Sequence, residues 1–146
     1  MGIFYSKYYQ NKTMDNTPIW SLKDKYRYVK ILKVYDGDTA WIALRLDGKV
    51  YRHKIRLLGI DTPEMKPPLN MPNREEEIKK AKDAKKFLSD LVENKVIKIK
   101  CGDWDKYGRL LATLYTNGSC FTSSVNINQL MIDKKLAKAY FGGKKN

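Results

Sequence analysis

Apolar residues recur along this chain at two spacings, and the change between them marks out its elements. Within Arg27–Tyr35, Thr39–Leu46 and Lys49–Leu58 the spacing fits strands, clearest in the second, where Ile42, Leu44 and Leu46 share one face. The third puts Tyr51, His53, Ile55 and Leu57 on one face and Arg52, Lys54 and Arg56 on the other. One whole strand face is therefore cationic. Asp47-Gly48 between the second and third runs predicts a two-residue hairpin, since both residues tolerate positive φ. Three prolines make residues 65–73 a loop. The spacing then becomes helical, with Ile78, Ala81, Ala84, Leu88, Leu91 and Val92 recurring up to Asn94. Asn73 and Glu76 resemble a capping box, and Glu75–Glu77 suit the positive end of the helix dipole. Lys95–Cys101 and Arg109–Tyr115 read as two more strands around a turn at Gly102–Gly108. Asn128–Lys138 reads as a second helix, using Leu130, Met131, Leu136 and Ala137. The order β-β-β-α-β-β-α predicts an α+β chain that is mainly β: a five-stranded barrel with two packed helices. Residues 1–25 show no sustained period and read as an extension before a folded domain at 26–146.

Composition adds a partner class. The 146 residues suit one domain. No apolar run reaches the ~20 residues of a membrane-spanning helix, and no secretory apolar segment opens the chain, so an intracellular setting is expected. The formal net charge is +13, from 29 Lys+Arg against 16 Asp+Glu. That surplus favours polyanions, nucleic acid first and anionic membrane second. Cys101 and Cys120 have no metal-ligand spacing; they allow one disulfide, and reduced thiols are the expected state in an intracellular setting. Only six of the basic residues are arginine: Arg27, Arg45, Arg52, Arg56, Arg74 and Arg109. Where lysine is so strongly preferred, each arginine suggests a need for the planar fork that grips phosphate with two hydrogen bonds.

Three short segments carry candidate chemistry: Asp36-Gly37-Asp38-Thr39, Asp61-Thr62-Pro63-Glu64, and Asp105–Arg109. Each alone is an ordinary turn. Together with Arg56 they supply two aspartates for a hard cation, a third carboxylate and two arginines. Phosphodiester hydrolysis needs such a set, because negative charge gathers on phosphoryl oxygens and a carboxylate must orient or deprotonate water. The single histidine, His53, falls on the face opposite Arg56 and reads as a packing or surface residue. No P-loop, metalloprotease helix or nucleophile elbow is present.

VYDGDT (34–39), IRLLGIDTPE (55–64) and DKYGRLLA (105–112) resemble, in order, the signature segments of the staphylococcal nuclease (thermonuclease) family, and INQLMIDKKLAKAY (127–140) is similar to its last segment. The resemblance implies an OB-type barrel and a nuclease that cuts DNA and RNA with little sequence preference, leaving 3′-phosphates. It implies that Asp38, Asp61 and the carbonyl of Thr62 hold Ca²⁺, and that Glu64 activates or positions water. Arg56 and Arg109 would hold the scissile phosphate, Lys106 and Tyr107 a terminal phosphate, and Tyr140 would flank the nucleotide. Three features depart from the family pattern. Lys135 stands where the family has glycine, a second pocket tyrosine has no match, and a third helix is expected to be missing.

The start MGIFYS fits the pattern for N-myristoylation of Gly2. One acyl chain binds membrane marginally, so the basic surface would have to assist. Two rivals to the enzyme follow. One is a non-catalytic nucleic-acid-binding module. The other is an acylated structural or assembly component with a vestigial site, at a membrane surface or within a virus particle.

Overall fold

The computed structural model describes residues 2–118 and 123–142. Strand β1 spans Tyr26–Val34, β2 Thr39–Leu46 and β3 Lys49–Leu57. A two-residue loop joins β2 to β3, with Asp47 at φ 47° and Gly48 at φ 81°. That geometry fixes an unbroken register from Leu46↔Lys49 to Thr39↔Arg56. Helix α2 (Arg74–Val92) follows the proline loop, then β5 (Val96–Trp104) and β6 (Leu110–Tyr115) pair as a second hairpin. The labels β4 and β7 belong to two short strands, Ile60–Asp61 and Lys138–Ala139.

The long strands close as β1-β2-β3-β6-β5, with β5 returning to β1. Four of the pairings are antiparallel and β3–β6 is parallel. The result is the five-stranded OB-type α+β barrel expected from the sequence. Its inner face takes the alternate apolar residues, among them Ile31, Ile42, Leu44, Ile55, Leu57, Ile99, Leu110 and Leu114, all essentially without exposure. Helix α2 presses Ala84, Leu88 and Val92 onto this core, and α3 (Ile127–Asp133) adds Ile127 and Met131.

The parallel seam is closed by one buried polar side chain. Asn128 Oδ1 accepts from the Leu114 N–H at 3.0 Å, while Nδ2 donates to the carbonyls of Leu58 at 2.9 Å and Ala112 at 3.0 Å. The amide thus partners the Leu114 N–H and the Leu58 carbonyl, which the strand pairing leaves over, and adds a second donor to the Ala112 carbonyl, which already accepts the Leu58 N–H at 2.8 Å.

Two local expectations are corrected. The second helix stops at Asp133 rather than Lys138, because Lys135 turns left-handed at φ 59°. The Leu136 N–H then returns to the Met131 carbonyl and the Lys135 N–H to that of Ile132, a Schellman closure. Asn73 makes no side-chain cap and is itself left-handed at φ 56°. Residues 2–9 form a helix, α1 (Gly2–Tyr9), within the segment read as an extension. Farther along that segment Leu22 is buried in the core, and the Asp24 N–H bonds to the Cys101 carbonyl. Cys101 is a buried free thiol whose pKa burial pushes up, whereas Cys120 lies outside the described residues. No helix among the described residues is long and apolar enough to cross a membrane.

Candidate active site

Where β1 turns into β2, Gly37 lets two chain segments approach. A Cβ there would lie 2.8 Å from Thr62 Cγ2 and 2.9 Å from Ala84 Cβ, so a side chain has no room. This contact sets the Asp36–Asp38 loop against the Asp61–Thr62 segment that follows β3. Arg56, on the outer face of β3, bridges them. Its Nη2 donates to Asp38 Oδ2 at 3.3 Å and Asp61 Oδ1 at 3.1 Å, and its Nη1 to the Ile60 carbonyl at 3.2 Å. Asp38 also accepts from Thr39 Oγ1 at 2.9 Å. Burial first, and then the neighbouring Asp38 charge, raise the Asp36 carboxyl to about 6.

A second cluster comes from the loop between β5 and β6. Asp105 Oδ1 accepts the backbone N–H groups of Tyr107 (2.8 Å) and Arg109 (2.9 Å), and its Oδ2 accepts Arg109 Nε at 2.6 Å. Burial pushes this carboxyl up, but the bonds from Arg109 and Tyr107 outweigh it and hold Asp105 below its usual value. The Tyr107 ring lies 5.3 Å from the Arg109 guanidinium and 5.1 Å from the Lys106 ammonium.

Both clusters line one cleft of about 470 Å³ at the barrel rim. Asp38, Arg56, Asp61, Thr62, Glu64, Lys106, Tyr107, Arg109 and Tyr140 all border it, so every cleft residue singled out in the sequence is gathered there. Tyr140 arrives through β7, which pairs with β4 by Asp61↔Lys138 and Ile60↔Ala139. The Tyr140 N–H bonds to the Gly59 carbonyl at 2.9 Å, and its ring sits 5.5 Å from the Arg56 guanidinium. Glu64 is held by backbone: its N–H donates to Glu77 Oε1 at 3.1 Å, tying its loop to the first turn of α2. His53 packs beside Trp104 at 5.1 Å, away from this set. Gly2 lies in α1.

Sequence reasoning passed over Asp36 and Asp105 as site residues. The signal for Asp105 was present in its spacing, since an aspartate two and four residues before backbone donors is an Asx-turn former.

The cleft lining holds five carboxylates (Asp36, Asp38, Asp61, Glu64, Asp105) against three cations (Arg56, Lys106, Arg109), opposite in sign to the chain as a whole. Hard oxygen donors in excess fit a hard divalent cation such as Ca²⁺. No three His, Cys, Asp or Glu side chains converge as a metal cluster among the described residues. The protein therefore offers a partial oxygen shell, with Asp38 and Asp61 brought together by Arg56.

The fold and this rim define a class: an OB-type barrel with a carboxylate and arginine cleft. Residues 54–146 match the family described as Staphylococcal nuclease homologue, and the chain belongs to that family. It is 31% identical over 131 residues to an uncharacterized protein of Methanocaldococcus jannaschii, covering 80% of this chain and 60% of that one. It is 33% identical over 89 residues to Staphylococcal-like nuclease CAN1 of Arabidopsis thaliana, covering 61% of this chain and 22% of the relative. An uncharacterized Bacillus anthracis protein is 32% identical over 105 residues, or 70% and 42% of the two chains. The chain thus spans less than two thirds of the length of each of these relatives.

Proposed function

We propose that this protein is a Ca²⁺-dependent nuclease that hydrolyses phosphodiester bonds of DNA and RNA with little sequence preference and leaves 3′-phosphate ends. The observation that carries the reading is the meeting of Arg56 and Arg109, from distant parts of the chain, with Asp38, Asp61 and Glu64 around one cleft.

In this reading Asp38, Asp61 and the Thr62 carbonyl hold the ion, which when bound neutralises charge on the phosphoryl oxygens. Arg56 and Arg109 donate to those oxygens and stabilise the charge that grows as water adds to phosphorus. Asp105 occupies Arg109 Nε, and the terminal nitrogens of Arg109 make no hydrogen bond among the described residues. Glu64 orients the water or takes its proton, and the 5′-oxygen leaves. Lys106 and Tyr107 receive a terminal phosphate, and Tyr140 flanks the nucleotide.

Labelled DNA and RNA incubated with Ca²⁺ should be cut, and a chelator should stop the reaction. Glu64→Gln should lower the rate by about 10²–10⁴-fold. Cleavage unaffected by either change would remove the reading, and tight strand binding without cleavage under any divalent metal would favour the binding module. We also propose acylation of Gly2 as a peripheral membrane anchor for the intracellular protein. An intact mass from eukaryotic cells that lacks the added acyl chain removes that proposal.

A further inference from the structure

The outer face of β1–β3 has a charge pattern that the cleft does not use. Beside Arg56, which the cleft takes, this face carries Lys30 and Lys33 of β1, Arg45 of β2 and Arg52 and Lys54 of β3, and the three strands hold no Asp or Glu. A face kept merely soluble would mix both signs. Aromatic rings are set among the cations. Trp41 pairs with Lys54 across β2–β3, with Lys54 Nζ 4.8 Å and the Arg52 guanidinium 5.1 Å from its ring centroid. Lys54 Nζ also lies 5.3 Å from the ring of Tyr35, which is 57% exposed. From there a second hollow of about 330 Å³, lined by Tyr35, Lys54, Tyr107 and Arg109 among others, leads to the cleft and shares Asp36, Tyr107 and Arg109 with it.

We propose that Arg52, Trp41, Lys54 and Tyr35 form a track for single-stranded polynucleotide that feeds the strand into the cleft. The direction of travel rests on the nuclease reading, but the binding does not. Unstacked bases settle on rings regardless of sequence, and the cations between the rings follow the phosphates. A surface cation–π contact is weak beside a base stack, so Lys54 and Arg52 can swing to phosphate and uncover the ring of Trp41 at little cost. A duplex keeps its bases stacked inside and cannot use the rings in this way.

The test uses the full chain carrying Glu64→Gln, in chelator, with a fluorescent oligothymidylate of about twelve nucleotides, within the span one such barrel covers. Trp41→Ala with Lys54→Gln should weaken binding about tenfold or more, as loss of a stacked base does. The slope of log affinity against log salt should fall by about 0.7 for the cation removed. With Glu64 restored and Ca²⁺ present, cleavage of a dinucleotide that reaches only the cleft should be unchanged. Arg52→Gln with Lys54→Gln, which leaves the ring in place, serves if the first variant does not fold.

Unchanged oligothymidylate binding in a folded variant overturns the track. So does equal weakening toward a blunt duplex of the same length, or a loss seen only toward anionic vesicles. If the wild type cuts nothing yet the substitutions still weaken oligothymidylate binding tenfold, the track stands and the nuclease reading falls. Cleavage with unchanged binding reverses that outcome.

Discussion

The two arginines of the cleft are held in opposite ways. Arg109 is fixed from inside its own loop, where Asp105, four residues earlier, binds both its side chain and its backbone. Arg56 is held by Asp38, 18 residues before it, and Asp61, five residues after it. The first arrangement can form wherever its loop forms. The second exists only once β2 and β3 have paired, Gly37 has closed on Thr62, and the rim has assembled. The Arg109 half should therefore tolerate disturbance of the barrel better than the Arg56 half.

Arg56→Lys strikes the long-range half directly. Lysine keeps the charge but cannot fork to two carboxylates and a carbonyl at once. We expect kcat/KM to fall by about 10²–10³-fold in a variant that stays folded by circular dichroism. A near-normal rate would mean that the fork takes no part in the reaction. Asn128→Ala acts on the same half through the seam behind it. The Leu114 N–H and the Leu58 carbonyl lose this partner, while the Ala112 carbonyl keeps the Leu58 N–H, at a cost of about 1–3 kcal/mol in guanidinium unfolding. A loss near zero would show that another group takes over the closure.

Asp105→Asn probes the local half. Arg109 loses its charged partner, and we expect about a tenfold fall in kcat/KM with the barrel intact, since a hydrogen bond to a charged group is worth about 1.5–3 kcal/mol. Folding lowers the Asp105 pKa, so its stabilisation is present above the usual value of 3.8 and fades as pH falls below it. The stability gap between the wild type and Asp105→Asn should thus shrink between neutral pH and about pH 2, and a constant gap in urea melts would contradict the pairing. The smallest effect belongs to Lys135→Gly, outside both halves. Relief of the left-handed backbone should stabilise the fold by about 1 kcal/mol without altering the rate. A lower melting temperature would show that the lysine side chain contributes more than its backbone costs.

Much of the fold could be read directly. Alternation in β2 and β3, the Asp47-Gly48 turn and the helical spacing of α2 each follow from neighbours a few residues apart, and each stands in the structure close to its expected bounds. The end of α3 could not be read that way. Leu136 and Ala137 continue a helical apolar pattern, yet both are drawn to the core through a turn that Lys135 makes. Periodicity reports that a residue is buried but not the backbone path that buries it. Asn73 misled for a similar reason, because a capping pattern records residue types and not the φ that the proline loop imposes.

For the cleft, the sequence alone determined which groups were available: the three short segments, a cationic face on β3, and an Asp105–Arg109 spacing that closes on itself. Those features depend on contacts within about five residues, where chain geometry leaves few alternatives. Only the tertiary structure decided that Arg56 reaches two carboxylates at once, that Asn128 closes a parallel seam, and that β7 brings Tyr140 beside Arg56. These joins link residues far apart in the chain, and their partners become neighbours only after the apolar faces have packed and closed the barrel.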